Sequence, residues 1–121
     1  MSYYTTVTLL PATVYGTASG NYDGSSQDFY GNSTPAANYY AGQGNLQTLT
    51  YQLSGFTGVI TAQATLENDT PQAAWFDIDT YGDGTTVLTE NHAVSVIGNF
   101  AHLRIRVTDF DSGTITVTAS Y

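Results

Sequence analysis

Apolar and polar residues alternate at every second position along much of the chain. Leu49, Tyr51 and Leu53 share one side of the run Leu49-Thr50-Tyr51-Gln52-Leu53, and in Ile60-Thr61-Ala62-Gln63-Ala64-Thr65-Leu66 the even positions are the apolar ones. Ala101, Leu103, Ile105 and Val107 alternate with His102, Arg104, Arg106 and Thr108. Ile115, Val117, Ala119 and Tyr121 alternate with Thr114, Thr116, Thr118 and Ser120. Successive side chains of a strand point to opposite faces, so each run predicts a strand with one face on a core and one in water. Shorter runs predict strands at Trp75–Thr80, Thr85–Thr89 and His92–Ile97, and at Tyr4–Leu10 and Thr13–Thr17 with Pro11 between them.

Turn chemistry falls between these runs. Ser54-Gly55-Phe56-Thr57-Gly58 reads as the joint between the Leu49 and Ile60 strands, and Glu67-Asn68-Asp69-Thr70-Pro71 ends the second. Tyr81-Gly82-Asp83-Gly84 and Gly98-Asn99 are hairpin candidates, and Asp111-Ser112-Gly113 reads as the turn linking the last two strands. Short strands so punctuated, with no helical period, predict an all-β chain: a single-domain antiparallel β-sandwich, jelly-roll or immunoglobulin-like, with helix content near zero. One domain spanning residues 1–121 fits the length. The stretch Ala18–Asn45 is different, rich in Gly, Asn, Ser, Ala and Tyr. A structureless loop of that length is unusual in a compact domain, so it holds either a short strand near Asp28–Tyr30 or an order imposed by a partner.

Charge narrows the partners. Ten acids stand against Arg104 and Arg106, with no Lys, for a formal charge of −8. Phosphate backbones are bound by Lys and Arg, so nucleic acid is not an expected partner, nor is an anionic membrane surface. No apolar run approaches the ~20 residues of a membrane-spanning helix. Met1-Ser2-Tyr3-Tyr4-Thr5 lacks the basic start and apolar block of a signal peptide. The chain has no Cys, so it offers no thiol nucleophile and no Cys-based metal site. With only 10% of residues charged, Thr, Ser, Gly, Asn, Gln and ten Tyr make a polar, mostly neutral surface suited to contacts with copies of itself or other proteins.

Candidate chemistry is sparse. Asp77, Asp79 and Asp83 have a faint calcium-loop spacing, but the twelfth position is Leu88 where such a loop needs a bidentate Glu. Alternation puts Asp77 and Asp79 on one strand face, and a solvated face running into a turn explains them as well. Asp109 and Asp111 flank Phe110, a local pair better explained by turn chemistry than by glycosidase chemistry. No GxSxG, no phosphate-cradling loop and no cofactor motif occurs, so the chain reads as non-enzymatic and without cofactors. His102, Arg104 and Arg106 share the polar face of one strand. The two arginines are expected to pair with acids across the sheet or on a neighbouring subunit. Tyr15, Tyr22, Tyr30, Tyr39 and Tyr40 sit amid Gly, Ser and Asn, the mixture binding loops use, and read as either contact residues or plain surface. Trp75 reads as core or partial core, with stacking on a sugar as its functional alternative.

From Gln47-Thr48-Leu49-Thr50-Tyr51 onward the sequence resembles small structural proteins of tailed bacteriophages, especially those of marine cyanobacterial phages. The passages that carry the likeness are Gly55-Phe56-Thr57-Gly58-Val59-Ile60-Thr61-Ala62-Gln63-Ala64-Thr65-Leu66, Pro71-Gln72-Ala73-Ala74-Trp75-Phe76-Asp77-Ile78, Gly98-Asn99-Phe100-Ala101-His102-Leu103-Arg104-Ile105-Arg106-Val107 and Phe110-Asp111-Ser112-Gly113-Thr114-Ile115. The resemblance implies a β-sandwich on a virion, as capsid decoration, neck, tail or baseplate component. It implies a homo-oligomer bound to other virion proteins, located on the particle or otherwise extracellular. It supplies no catalytic residues, and Ala18–Asn45 lies outside it. Two alternatives remain: a carbohydrate-binding or adhesin module of a fibre, and a subunit of an extracellular filament held by exchange of the N-terminal strand.

Overall fold

A computed structural model describes residues 6–36, 46–66, 74–98 and 100–120. Those residues form seven strands and no helix: β1 (Thr6–Val14), β2 (Phe29–Tyr30), β3 (Thr34–Pro35), β4 (Leu46–Thr65), β5 (Phe76–Tyr81), β6 (Leu88–Ile97) and β7 (His102–Ser120). All pairings are antiparallel and belong to one sheet. The β4–β7 ladder is its spine, running from Thr48↔Ser120 to Thr65↔His102.

Both spine strands change neighbours half-way. β6 pairs with β4 from Leu46 to Phe56, and β5 takes over the same edge from Ile60 to Ala64. On the far edge β1 pairs with the C-terminal half of β7, while β2 and β3 pair with its N-terminal half. The sheet therefore has two four-stranded halves sharing two strands: a first layer of β6, β4, β7 and β1, and a second of β5, β4, β7 and β2/β3.

Connectivity folds these layers together. Laid straight, the 20 residues of β4 would span roughly 65 Å at about 3.3 Å each. Yet Ile97, partner of Leu46, and His102, partner of Thr65, are five residues apart in the chain, a link that reaches at most about 18 Å. The two ends of β4 are thereby drawn together, and the strand doubles back. The Ala101 N–H donates to the Thr65 carbonyl at 2.8 Å and the Asn32 N–H to the Leu9 carbonyl at 3.0 Å, closing the open end and the β1 side.

The bend lies where the sequence carries turn chemistry, and here the strand boundaries differ from expectation. Ser54–Gly58 and Asp111–Gly113 are not turns; each is a bulged bend inside a continuous strand, with register shifts between Ser54, Thr57 and Val59 against Thr114, Ser112 and Thr108. An extra residue in a ladder moves the next side chain to the other face. Inward positions of β4 thus pass from Leu49, Tyr51 and Leu53 to Ile60, Ala62 and Ala64, with fully buried Phe56 between. Gly113 sits at φ 86°, and a Cβ there would lie 2.3 Å from the Gly55 carbonyl, so glycine is required by both conformation and space. Asp109, at φ 55°, supplies the second irregularity of β7.

Three other expectations change. β1 is one strand that runs through Pro11, with one register shift before it and a second across it, where the missing donor falls in an irregular stretch of an edge strand. Of the run Thr85–Thr89 only Leu88 and Thr89 are strand, and they continue into His92–Ile97 as one strand, β6, while Thr85 and Thr86 belong to the turn at Asp83. Neither Tyr81–Gly84 nor the Gly98 link makes a hairpin, because β5 does not pair with β6 nor β6 with β7; each link crosses between layers.

Rings fill the bend. Phe110, fully buried, has Tyr15, Tyr22, Phe29 and Phe56 around it with centroids 5.2–5.7 Å away. Tyr22 accepts a hydrogen bond from the Gly16 N–H at 3.0 Å through its hydroxyl, so its one polar atom is satisfied. The Gly/Ser-rich stretch from residue 18 is therefore ordered from within as far as Ala36: Tyr22, Phe29 and Ala36 join the core, and the expected short strand is β2.

Two substitutions report on the bend separately. Phe110→Ala is expected to cost about 3–5 kcal/mol through the cavity it leaves. Gly113→Ala is expected to cost at least about 1–3 kcal/mol through clash and a left-handed φ. Urea unfolding measures both; a Gly113→Ala variant as stable as the parent would show that the bend does not need this close approach.

Candidate functional site

The outward face of the second layer carries the chain's only two cations. Alternation from inward Leu103, Ile105 and Val107 sends Arg104 and Arg106 outward on β7. Beside them on β4 the outward residues are Thr61 and Gln63, opposite Arg106 and Arg104 in the ladder. Tyr30 of β2 is the ladder partner of Arg106, and Trp75 immediately precedes β5.

These side chains form one connected row. The Arg104 guanidinium lies 4.3 Å from the Tyr30 ring centroid and 4.2 Å from that of Trp75. Its Nε donates to Gln63 Oε1 at 2.8 Å, and Gln63 Nε2 donates to Asp77 Oδ1 at 2.9 Å. Arg106 stands 6.0 Å from the Tyr30 centroid. Among the described residues Arg104 therefore meets no carboxylate directly, where the sequence led us to expect one across the sheet or on a neighbouring subunit; a neutral amide relays it to Asp77. The guanidinium is fixed by its faces and its Nε, while its terminal nitrogens take no acceptor among the described residues. A cation desolvated between two rings is held more firmly than a surface ion pair.

Tyr30 is 43% exposed, so this row is open to solvent. Trp75 is half-buried, and its ring covers Arg104 on the outer face. Tyr22, a contact candidate in the sequence, is corrected: at 1% exposure it is core. Tyr39 and Tyr40 lie outside the described residues.

The calcium candidates are not brought together. A register shift between Ala62 and Gln63 bulges β5 at Ile78, so Asp77 and Asp79 face opposite ways. Asp77 meets Gln63 outside, whereas Asp79 accepts the buried Tyr51 hydroxyl at 2.7 Å. Burial first, and then this carboxylate, push the Tyr51 hydroxyl far above the usual phenol range. Asp83 spends its oxygens on its own turn, accepting the Thr85 and Thr86 N–H groups at 2.9 and 2.7 Å and the Thr86 hydroxyl at 2.7 Å. Among the described residues no group of three or more potential ligands converges on a metal position.

Asp23 builds the same turn, accepting the Ser25 and Ser26 N–H groups at 2.8 and 2.7 Å. The repeated pattern is Asp-Gly followed by two hydroxyl residues, at Asp23-Gly24-Ser25-Ser26 and Asp83-Gly84-Thr85-Thr86. It is visible in the sequence and accounts for both acids structurally. Across the fold, Tyr81 of β5 stacks on His92 of β6 at 4.0 Å between centroids and donates its hydroxyl to Glu90, joining the layers along that side.

The first layer's outer face is of another kind. Thr6, Ser120, Thr48 and Ser95 are successive ladder partners across four strands, with Thr6–Ser120 and Thr48–Ser95 hydroxyls at 3.2 and 3.0 Å. Thr8, Thr118 and Thr50 form the next row. This face is neutral, its hydroxyl rows ending at the exposed pair Leu46 and Ile97, and it has none of the cation–ring chemistry of the Tyr30–Arg104–Trp75 row. No protein-family model matches the sequence, and a search of curated proteins gives no match.

The stack is measurable. A double-mutant cycle on Arg104→Ala and Trp75→Ala is expected to return a coupling of about 0.5–1 kcal/mol in unfolding free energy; strict additivity would show that the two groups merely lie near each other.

The two turns set an acid response. Hydrogen bonds hold the Asp23 carboxyl at about 2, the Ser25 N–H contributing most, and hold Asp83 below the ordinary range, the Thr86 N–H contributing most. A carboxylate whose folded pKa is depressed stabilises the fold above its unfolded value, about 3.9, and loses that contribution as pH falls toward the folded value. Replacing both by Asn keeps an acceptor and removes the titration. The Asp23→Asn/Asp83→Asn variant should therefore lose less stability than the parent as pH falls from about 4 to about 2. Parallel losses in urea titrations over that window would count against it.

Proposed function

We propose that this chain is a non-enzymatic structural protein of a tailed-phage type of virion, placed on the particle exterior as capsid decoration or as a neck, tail or baseplate component. The resemblance from Gln47 onward supports the setting. One observation carries the mode of action: an Arg held between Tyr and Trp on the open face of a rigid two-layer sheet. Trp, Tyr and Arg are the residues that dominate binding energy at protein interfaces, and an arginine already fixed loses little freedom on docking. The acids and hydroxyls elsewhere support a structural role too, since Asp23, Asp77, Asp79, Asp83 and Tyr51 are each committed to internal hydrogen bonds. Repetition of one modest docking face on a symmetric particle multiplies its hold.

An antibody raised against the purified chain should detect it in density-gradient-purified particles. Added back to particles stripped of it, the Arg104→Ala/Trp75→Ala variant should be retained at least about tenfold less than the parent, matching the loss of one hot-spot contact. A chain found only in the soluble fraction of the lysate would overturn the reading. So would glycan-array binding that Trp75→Ala abolishes and Arg104→Ala leaves intact, because that would assign Trp75 to a sugar.

A further inference from the structure

The reading above leaves open what meets the arginine face, and β7 itself suggests an answer. The same strand that carries Arg104 and Arg106 carries Asp109 and Asp111 at its bend. Arg106 and Asp109 stand equally far along the chain on either side of the Val107–Thr108 peptide, and so do Arg104 and Asp111. Cations on one side and acids on the bulged side of one strand are the two halves of a self-complementary surface. In a two-fold contact, residue i of one copy meets j of the other while j meets i. A two-fold axis passing near the Val107–Thr108 peptide would set the arginine pair of each copy against the acid pair of the other, twice over.

Several observations favour that partner. Asp109 and Asp111 are exposed, and neither carboxylate accepts a hydrogen bond among the described residues, unlike the committed Asp23, Asp77, Asp79 and Asp83. Phe110, buried between them, anchors the bulge and turns both flanking residues outward, while φ 55° at Asp109 fixes the bulge backbone. Thr108 beside the axis is small enough for two copies to approach. Arg104 is already stacked and has its terminal nitrogens open, the edge that takes a carboxylate in a bidentate grip. At a charge of −8, two copies repel in most orientations. A contact that engages every arginine of both with otherwise uncommitted carboxylates is where that repulsion reverses.

We propose that the Arg104/Arg106 face docks on the Asp109/Asp111 bend of a second copy of this chain, reciprocally, in a two-fold dimer. The proposal rests on reading the arginine face as a docking surface. The dimer is salt-sensitive, because four charge pairs at a partly exposed interface are screened as ionic strength rises.

Complementation tests it. Arg104→Glu/Arg106→Glu makes the contact wholly acidic. Asp109→Asn/Asp111→Lys makes it net basic while keeping at 109 a residue that tolerates a positive φ. Light scattering after size-exclusion chromatography at low salt should show the parent as a dimer and each variant alone as a monomer. An equimolar mixture of the two variants should recover the dimer, and sodium chloride should dissociate it. Melting curves check that each variant is folded; Arg106→Glu alone, which leaves the stack untouched, is the fallback and should weaken the dimer at least about tenfold, one strong charge pair's worth. A monomeric parent, variants that dimerise like the parent, or a mixture that stays monomeric would each overturn the self-contact. If the parent is monomeric yet particle retention still depends on Arg104, the docking surface stands and only its partner has been misassigned.

Discussion

Phe110 fills the bend on which both layers depend. A strand as long as β4 or β7 cannot belong to two layers unless something holds it folded, and backbone pairing alone does not, since ladders prefer to continue. At the bend, bulges interrupt that pairing, and the rings of Tyr15, Tyr22, Phe29 and Phe56 supply the apolar surface that makes the interruption favourable. Gly113 and Gly55 let the two spine strands touch there without side chains between them. With the bend closed, Ile60 comes to face the same interior as Leu53, and β5 and β6 are left to meet side by side through Tyr81, His92 and Glu90. Each later feature, including the outward aim of Arg104, inherits its direction from this point.

The alternation was enough to identify the five long strands and most of their inward faces, from Leu49 to Ala119, but not the two-residue β3. It misplaced the breaks. The change from odd to even inward positions between Leu53 and Ile60 is plain in the sequence, but a turn and a bulge both produce it, and Gly55, Gly58 and Gly113 suit either. What separates them is Phe56 and Phe110: a solvent-facing turn has no use for a large ring, whereas a folded strand needs one at the fold. Tyr22 was misplaced for a related reason, because its Gly/Ser/Asn setting describes the backbone around it and not the ring's own destination. At the arginine site the residues were legible and the partners were not. Gln63 and Trp75 come to Arg104 from β4 and the start of β5, and only the ladder registers say which residues meet. The bulge at Ile78 that separates Asp77 from Asp79 has no sequence mark at all, since neither Gly nor Pro accompanies it.

The two outer faces divide the chemistry of the surface. On the first layer short hydroxyls occupy the middle rows, satisfying one another across strands, with the exposed apolar pair Leu46 and Ile97 at one end. On the second layer long side chains lie over β4 so fully that Thr61, Gln63 and Thr65 are buried on a face that alternation marks as outward. The second layer is thus built in three tiers, core, sheet and a lid of Tyr30, Arg104 and Trp75. That lid is stiff for the same reason a core is: its parts touch on several sides.

The pairing of β1 with the end of β7 has a mechanical consequence. Thr6 and Ser120 are ladder partners, so tension applied to these two residues pulls across the rungs and breaks them in succession, as a zip opens. The β4–β7 spine is loaded differently: a pull along its length opposes all its rungs at once and must also straighten the bend against the rings around Phe110. The molecule is therefore soft when tugged by the ends of its terminal strands and resistant when loaded through its faces. A neighbour that grips the Tyr30–Arg104–Trp75 face takes hold of the molecule on its resistant axis.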